Sequence, residues 1–393
     1  MPKTAIDYDI NPVTDYDVRS ATDYDVKEMD KDIVMIGSGP EDKGHPLISL
    51  LICSRNDGYM GRPELRLQHC LNYNAEVIFN CALQDQVEII VNDWGSHIPL
   101  QKVLKLTEKA RQLTYFLEVG PDMVKAVQKD SPFTEVLANN VSARRARGDY
   151  IGRIDQDTLI DPRFFHVMTP VLRCEKNLGF NPSLAFMFSG RRSIPVEFTR
   201  SDPSLVDVFR IIQSCKRLFP KEGQGRDFWF EASTGIMILS RQLWFESGGY
   251  DERLIYWGHM EADLALRIGL RYPRVNLDHW LNFAFYHLDH APRQFRITTR
   301  RKNSLDIGND FHPNSQDWGY PEWRLPLRNF QATGMAETVS DHGSPTPAQL
   351  GVYCYWSLKE LIWESFRFMV RKVLFALGIH AGALAEKKAR SET

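Results

Sequence analysis

Two acids with one residue between them, Asp155 and Asp157, close the stretch RGDYIGRIDQD at 147–157. Tyr150, Ile151 and Ile154 ahead of them read as a buried strand, and carboxylates at the end of a core strand are costly unless something binds them. In an extended segment residues two apart point to the same side, so both acids can reach one cavity. Paired hard oxygens suit Mg²⁺ or Mn²⁺, ions that keep open positions for phosphate oxygens. A divalent ion held this way stabilises a departing diphosphate. An isolated Asp-x-Asp also occurs in surface turns; the position after a strand gives this one its weight.

The elements that must position these acids are legible upstream. PLISLLICSRN (46–56) is a near-continuous apolar run closed by polar residues, the pattern of a buried parallel strand. VEIIVNDWGS (87–96) repeats the design, LTYFLEVG (113–120) is a third strand closed by Gly120-Pro121, and DYIGRIDQD is a fourth. Helical stretches fall around 65–71 and over 134–147. Strands alternating with helices predict an α/β domain, a mostly parallel sheet with helices on both faces. Ligands bind such sheets at the carboxyl ends of the strands, where Ser54, Asn56, Asp93, Asp155 and Asp157 all fall.

Of the 393 residues 43% are apolar, enough for one large α/β domain with additions or for two domains. A net charge of -2 gives no reason to expect a nucleic-acid partner. Six scattered cysteines without a CxxC pair argue against a zinc site or a disulfide framework and fit a reducing, cytoplasmic compartment. No signal peptide and no spanning helix is read. Residues 1–45 are acidic and repeat DYDI, DYDV and DYDV from Asp7, Asp15 and Asp23. Eight residues are too few for a repeat with its own core, so the segment reads as a flexible tail, with a docking motif in three copies as the alternative. IVMIGSGPEDKG (33–44) has Asp42 where a dinucleotide loop needs its third glycine, and is read as a linker turn.

The resemblance that these pieces carry together is specific. ANNVSARRARGDYIGRIDQD (138–157) resembles the segment of family 2 glycosyltransferases that reads Ala-Arg-Asn-x-Gly, then Ala-x-Gly-Glu-Tyr-Ile, then Asp-x-Asp. Asn140, Ala146, Gly148, Tyr150, Ile151, Asp155 and Asp157 fall in register, whereas Asn139, Ser142 and Asp149 replace the usual Arg, Gly and Glu. EIIVNDWGS resembles Glu-Ile-Ile-Val-x-Asp-Asp-Gly-Ser, with Asp93 at the first Asp and Trp94 at the second. LLICSRN resembles the first strand, with Ser54 at its Thr. The resemblance covers about 46–300 and implies a GT-A fold and a nucleotide-sugar donor, a UDP-sugar. Ser54 and Asn140 would serve the donor, Asp93 would face the base, Asp155 the ribose and metal, and Asp157 the metal.

STGIMILSRQLWFESGGYDERLIYWGHMEADLALRIG (233–269) resembles the acceptor half of such enzymes. Counting back from Arg267 places Met260 and Glu261 on the family's Glu-Asp pair, so the catalytic base carries over to Glu261. An inverting transfer needs a carboxylate to take the acceptor's hydroxyl proton. Glu261 lies in a first helical turn, where the dipole also favours an acid. Asp263, two residues on, points elsewhere and is spaced i,i+4 from Arg267. An exposed pair of that kind contributes about 0.2–0.5 kcal/mol, and a hand in acceptor binding is its alternative. Trp257 would wall a sugar ring or pack inside. The resemblance implies a histidine as third metal ligand: His287 in FAFYHLDHAP (283–292), or His290.

NDFHPNSQDWGYPEW (309–323), within a loop-rich stretch over 301–345, is expected to close over the site. Residues 346–393 form a C-terminal extension whose amphipathic helix, 356–379, carries one polar stripe of Glu360, Glu364, Arg367 and Arg371. Such a helix packs on its own domain, pairs in a homodimer, or lies in-plane on the inner face of a membrane beside Lys387, Lys388 and Arg390. The expected function is metal-dependent transfer from a nucleotide sugar to a carbohydrate or glycolipid hydroxyl, as in polysaccharide biosynthesis. Rivals are a nucleotidyltransferase, of whose glycine-rich basic loop CSRNDGYMGRP has only parts, and an inactive sugar-binding or scaffold protein.

Overall fold

The computed structural model describes residues 45–58, 61–177, 185–188, 191–215, 221–222, 236–269, 271–272, 274–276, 285–290 and 308–330. The DYD repeat, the turn at 33–44 and the helix expected at 356–379 lie outside the described residues. No helix among the described residues is long and apolar enough to cross a membrane.

The apolar runs form the expected strands: β1 (Ile48–Ser54), β2 (Val87–Trp94), β3 (Thr114–Val119) and β4 (Tyr150–Arg153). They are followed by β5 (Thr158–Leu159), β6 (Ala185–Phe188), β7 (Arg191–Ile194), β8 (Lys221–Glu222), β9 (Ile236–Ser240), β10 (Arg274–Asn276), β11 (Phe285–Leu288) and β12 (Arg328–Asn329). The main sheet runs β10-β6-β9-β4-β1-β2-β3-β12, and a smaller one β5-β11-β7-β8. β1 pairs in parallel with both β2 and β4, and β2 with β3. β9 runs antiparallel between β4 and β6.

The continuous apolar character of β1 has a simple cause: the strand feeds two cores. Ile48, Leu50 and Ile52 pack with Leu67, Cys70 and Leu71 of the helix Pro63–Asn80. Leu51 packs on the opposite face with Val136, Leu137 and Val141 of the helix Glu135–Arg145. Helices therefore cover both faces, as expected. The chain leaves β1 toward β2 and β3, then returns to β4 on the other side of β1. That reversal is a topological switch point, where ligands enter at the strand ends. Gly148 lets the returning chain close: its N–H donates to Ser49 Oγ at 2.8 Å, and a Cβ there would lie 2.6 Å from the Ser49 backbone nitrogen.

One expectation needs correction. The fourth strand stops at Arg153; Asp155 and Asp157 sit in a turn closed by Thr158 N–H to Asp155 O at 3.1 Å, after which β5 leaves for the smaller sheet. Strand alternation therefore does not aim the two carboxylates. Residues 308–330, within the stretch expected to close over the site, are seated on the domain. They strap the helix Glu135–Arg145, whose Arg144 and Arg145 donate to the carbonyls of Gln316, Trp318, Gly319, Tyr320 and Trp323. The strap then ends as β12 on the edge of β3, inside the same sheet. Bidentate arginines on bare carbonyls hold a loop that has no ladder of its own.

Candidate active site

At the switch point the ends of β1 and β4 lie side by side. Ser54 Oγ donates to Gln156 Oε1 at 2.5 Å, which ties the turn carrying both acids to β1. The turn sends its acids to different partners. Asp157 is buried and meets His287 Nε2 at 3.5 Å, His290 Nε2 at 3.8 Å and Arg66 Nε at 3.5 Å. His287 stands on β11, which pairs it with Thr158 of β5; His290 follows two residues after that strand. One ligand atom from each of Asp157, His287 and His290 lies within 4.8 Å of the others. Burial pushes the Asp157 carboxyl up, but His287, His290 and Arg191 outweigh it and hold the carboxyl well below the usual range.

Asp155 turns the other way. Its Oδ1 accepts from Arg153 Nη2 at 2.5 Å and its Oδ2 from Arg191 Nη1 at 2.6 Å. Arg153, at the end of β4 and 4% exposed, also binds Glu135 and Glu261, the latter through Nη1 at 3.0 Å. Glu261 lies in the first turn of the helix Met260–Gly269 and Glu135 in that of Glu135–Arg145. The expected base and the first acid of the Asp-x-Asp pair thus share one buried guanidinium. Asp93 is buried as well; its Oδ2 accepts from Leu100 N–H at 2.7 Å, and burial pushes its pKa up to about 6 against the pull of Ser96 and Leu100.

One carboxylate and two imidazoles are a donor set that fits a divalent cation. Ions of this kind are held about 2.0–2.2 Å from nitrogen or oxygen, so three donor atoms this close need only small movements to share one. Imidazole nitrogens suit a transition ion better than Mg²⁺, which demands oxygen and keeps its water.

The family model described as Glycosyltransferase like family 2 matches residues 65–283, more than half of the chain. The chain belongs to this family. Its sheet is the mostly parallel α/β sheet of a GT-A glycosyltransferase domain. Solved structures that match include residues 1–349 of S. aureus TarS, at 13% identity and TM-score 0.40, covering 61% of this chain and 60% of that one. The same TarS fragment in complex with UDP matches at 14% and 0.39, over 62% and 60%. The catalytic domain of Drosophila beta1,4galactosyltransferase 7, in complex with xylobiose, matches at 11% and 0.37, over 67% and 83%. The chain spans about 60% of the TarS fragment it matches. No curated protein matches the sequence.

In this family 2 domain several expected residues have work that spacing did not reveal. Asn140 donates to Tyr250 O at 2.8 Å and Glu252 Oε1 at 3.1 Å, and accepts from Tyr250 N–H at 2.8 Å. Its amide is spent on clipping the GGYDE turn to the helix, where Gly249 has φ +71° and a Cβ would lie 2.6 Å from Asn140 Oδ1. Trp94, at the family's second Asp, is buried and donates to Thr134 Oγ1 at 2.9 Å. Trp257 is 47% exposed, just ahead of Gly258 and His259, both at positive φ, and of Glu261.

Asp263 requires the largest correction. Its pair with Arg267 is fully buried, not exposed: Arg267 Nε donates to Oδ2 at 2.7 Å, while Oδ1 accepts from Gly308 N–H at 2.8 Å. Arg267 also reaches the carbonyls of Ser247 and Gly249 at 3.0 and 2.7 Å. Breaking a buried, fully bonded pair costs about 3–5 kcal/mol. Asp263→Asn is therefore expected to lower the unfolding free energy by about 3 kcal/mol in urea titrations; a change under about 0.5 kcal/mol, the range of an exposed pair, would show that the burial contributes nothing.

The residues that sequence reading missed are Arg66, Glu135, Arg153 and Arg191. The one available signal was Arg153 itself, a cation inside a run otherwise read as core. Its partners lie 18, 2 and 108 positions away, and no local pattern joins them.

Proposed function

We propose that this family 2 domain transfers a sugar from a nucleotide-diphosphate sugar, a UDP-sugar by the family resemblance, to a hydroxyl of a carbohydrate or glycolipid acceptor, with inversion. The observation that carries the reading is the meeting of Asp157, His287 and His290 next to the Arg153–Glu261 pair, at the switch point of the sheet. Asp157, His287 and His290 would hold Mn²⁺ in preference to Mg²⁺, and the bound ion would supply positive charge for the departing diphosphate. Arg66 and Arg191, on either side of the same turn, add charge-assisted donors for phosphate oxygens. Glu261 accepts the proton of the acceptor hydroxyl as its oxygen attacks the anomeric carbon. Trp257 offers its exposed face to the acceptor sugar. Ser54, Asp93 and Asp155 serve the nucleoside: Ser54 and Asp155 from the strand ends toward the ribose, Asp93 toward the base.

Incubation of the whole chain with a panel of nucleotide sugars tests this, with released nucleoside diphosphate as the readout. Release is expected with a UDP-sugar, lost on chelation and restored by Mn²⁺. Proton NMR of the glycoside should show the anomeric configuration opposite to the donor's. Full activity in chelator would remove the metal, a retained configuration would remove inversion, and silence with every donor would remove the donor class.

A further inference from the structure

A buried guanidinium is expensive, and in a protein interior its cost is several kcal/mol unless carboxylates surround it. Arg153 is enclosed by three, drawn from three elements: Glu135 from one helix start, Asp155 from the turn after β4, and Glu261 from another helix start. Cys53 and Tyr250 complete the surroundings, and both thiol and phenol are pushed up by burial. Arg191 supplies a second cation, on Asp155. Negative charge is thus in excess around Arg153: burial, with Glu261 and Asp155, pushes Glu135 up to about 7 against the pull of the guanidinium. A tie that served stability alone would need one carboxylate, and a planar fork binding several at once fixes each in direction as well as in charge.

We propose that Arg153 is a positioning residue for sugar transfer, orienting Glu261 through Nη1 while Nη2 holds Asp155 and Glu135. The inference rests on the role proposed for Glu261. With Oε1 of Glu261 held by Arg153, Oε2 is the oxygen left to meet the acceptor hydroxyl. Because the same guanidinium holds Asp155, the base and the donor-side turn keep a fixed spacing, and displacements of about 1 Å can cost about a hundredfold in rate.

A double-mutant cycle tests this, with Arg153→Lys, Glu261→Gln and the double variant assayed on the same donor and acceptor. Arg153→Lys keeps the charge but loses the fork. It is expected to lower kcat about 10- to 100-fold while the donor KM moves only a few-fold. In the Glu261→Gln background the same change should cost less than about threefold, since residues that act through one another are not additive. Arg153→Met leaves the partly buried Glu135 and Glu261 without their counter-ion; should it fail to fold, the lysine variant still closes the cycle. Equal losses in both backgrounds, or a loss confined to KM, overturn the role of Arg153. A wild-type chain that releases no nucleoside diphosphate from any donor overturns instead the functional reading beneath it.

Discussion

Asp157→Ala is expected to abolish Mn²⁺ binding at the site and metal-dependent transfer together, with the fold intact. Among the described residues Asp157 supplies the one carboxylate of its cluster, and without it two imidazoles remain beside Arg66, a set with no negative charge to offer a divalent cation. Loss of residues that merely orient ligands typically weakens metal affinity about 10–100-fold, so loss of a direct ligand should exceed about 100-fold. Calorimetric titration of Mn²⁺ into the full chain reads this without any turnover. Asp155→Ala is the informative control. Asp155 is held by Arg153 and Arg191, so its removal should spare Mn²⁺ affinity to within a few-fold even if transfer falls. The opposite outcome, affinity lost with Asp155 and kept without Asp157, would move the ion to the first acid. Acidity adds a check. Asp157 stays ionised well below the usual carboxylate range, so acid weakens ion binding through the imidazoles, which must be neutral to ligate. Because the folded-state value is depressed, the carboxylate's contribution to stability is present above the ordinary carboxylate pKa of about 3.9 and is lost only as the pH falls toward the lower folded value. Unchanged Mn²⁺ affinity in Asp157→Ala would remove the central claim for the site.

Local patterns carried the strand ends and little beyond them. β1, β2 and β3 announce themselves because strands covered on both faces are apolar over most of their length, and polar residues mark where they reach the ligand side. The same rule misled at Asp155 and Asp157. Alternation holds only while the strand lasts, and β4 ends two residues before the first acid. Pairing with β9, antiparallel across the sheet, and with the short strands of the smaller sheet depends on contacts 84 to 129 positions apart, which composition and periodicity do not encode. Asp263 shows the limit most directly. An i,i+4 acid and arginine look the same in sequence whether the helix face meets water or protein. Here the face is closed by Gly308 and Phe311, 45 and 44 residues further on from their partners. The strap was legible as rich in turn formers and Trp. Its seat was not, because the arginines that grip it bind backbone carbonyls, and carbonyls leave no mark on a sequence.

Glu261→Gln is expected to lower turnover about a hundredfold to ten-thousandfold, the usual cost of losing a general base, with donor affinity within a few-fold of wild type. Glutamine keeps the shape of the side chain, and its amide oxygen can still accept from Arg153 Nη1, now 3.0 Å from Glu261 Oε1. The helix start is therefore undisturbed and basicity alone is removed. Geometry favours Glu261 over its neighbour. Glu261 keeps 22% of its side chain exposed at the site, while both oxygens of Asp263 are engaged within the core by Arg267 and Gly308. The two substitutions separate cleanly when measured side by side: Glu261→Gln should lose rate at unchanged stability, and Asp263→Asn should lose stability with a far smaller fall in turnover at temperatures where it is folded. Rate lost only in a folded Asp263→Asn would exchange the roles and place the family's register two residues further along. If neither variant loses rate while both remain folded, the acceptor proton leaves by another route. The inverting scheme then has no base, and a retaining transfer, in which the departing diphosphate itself can take the proton, becomes the mechanism to test.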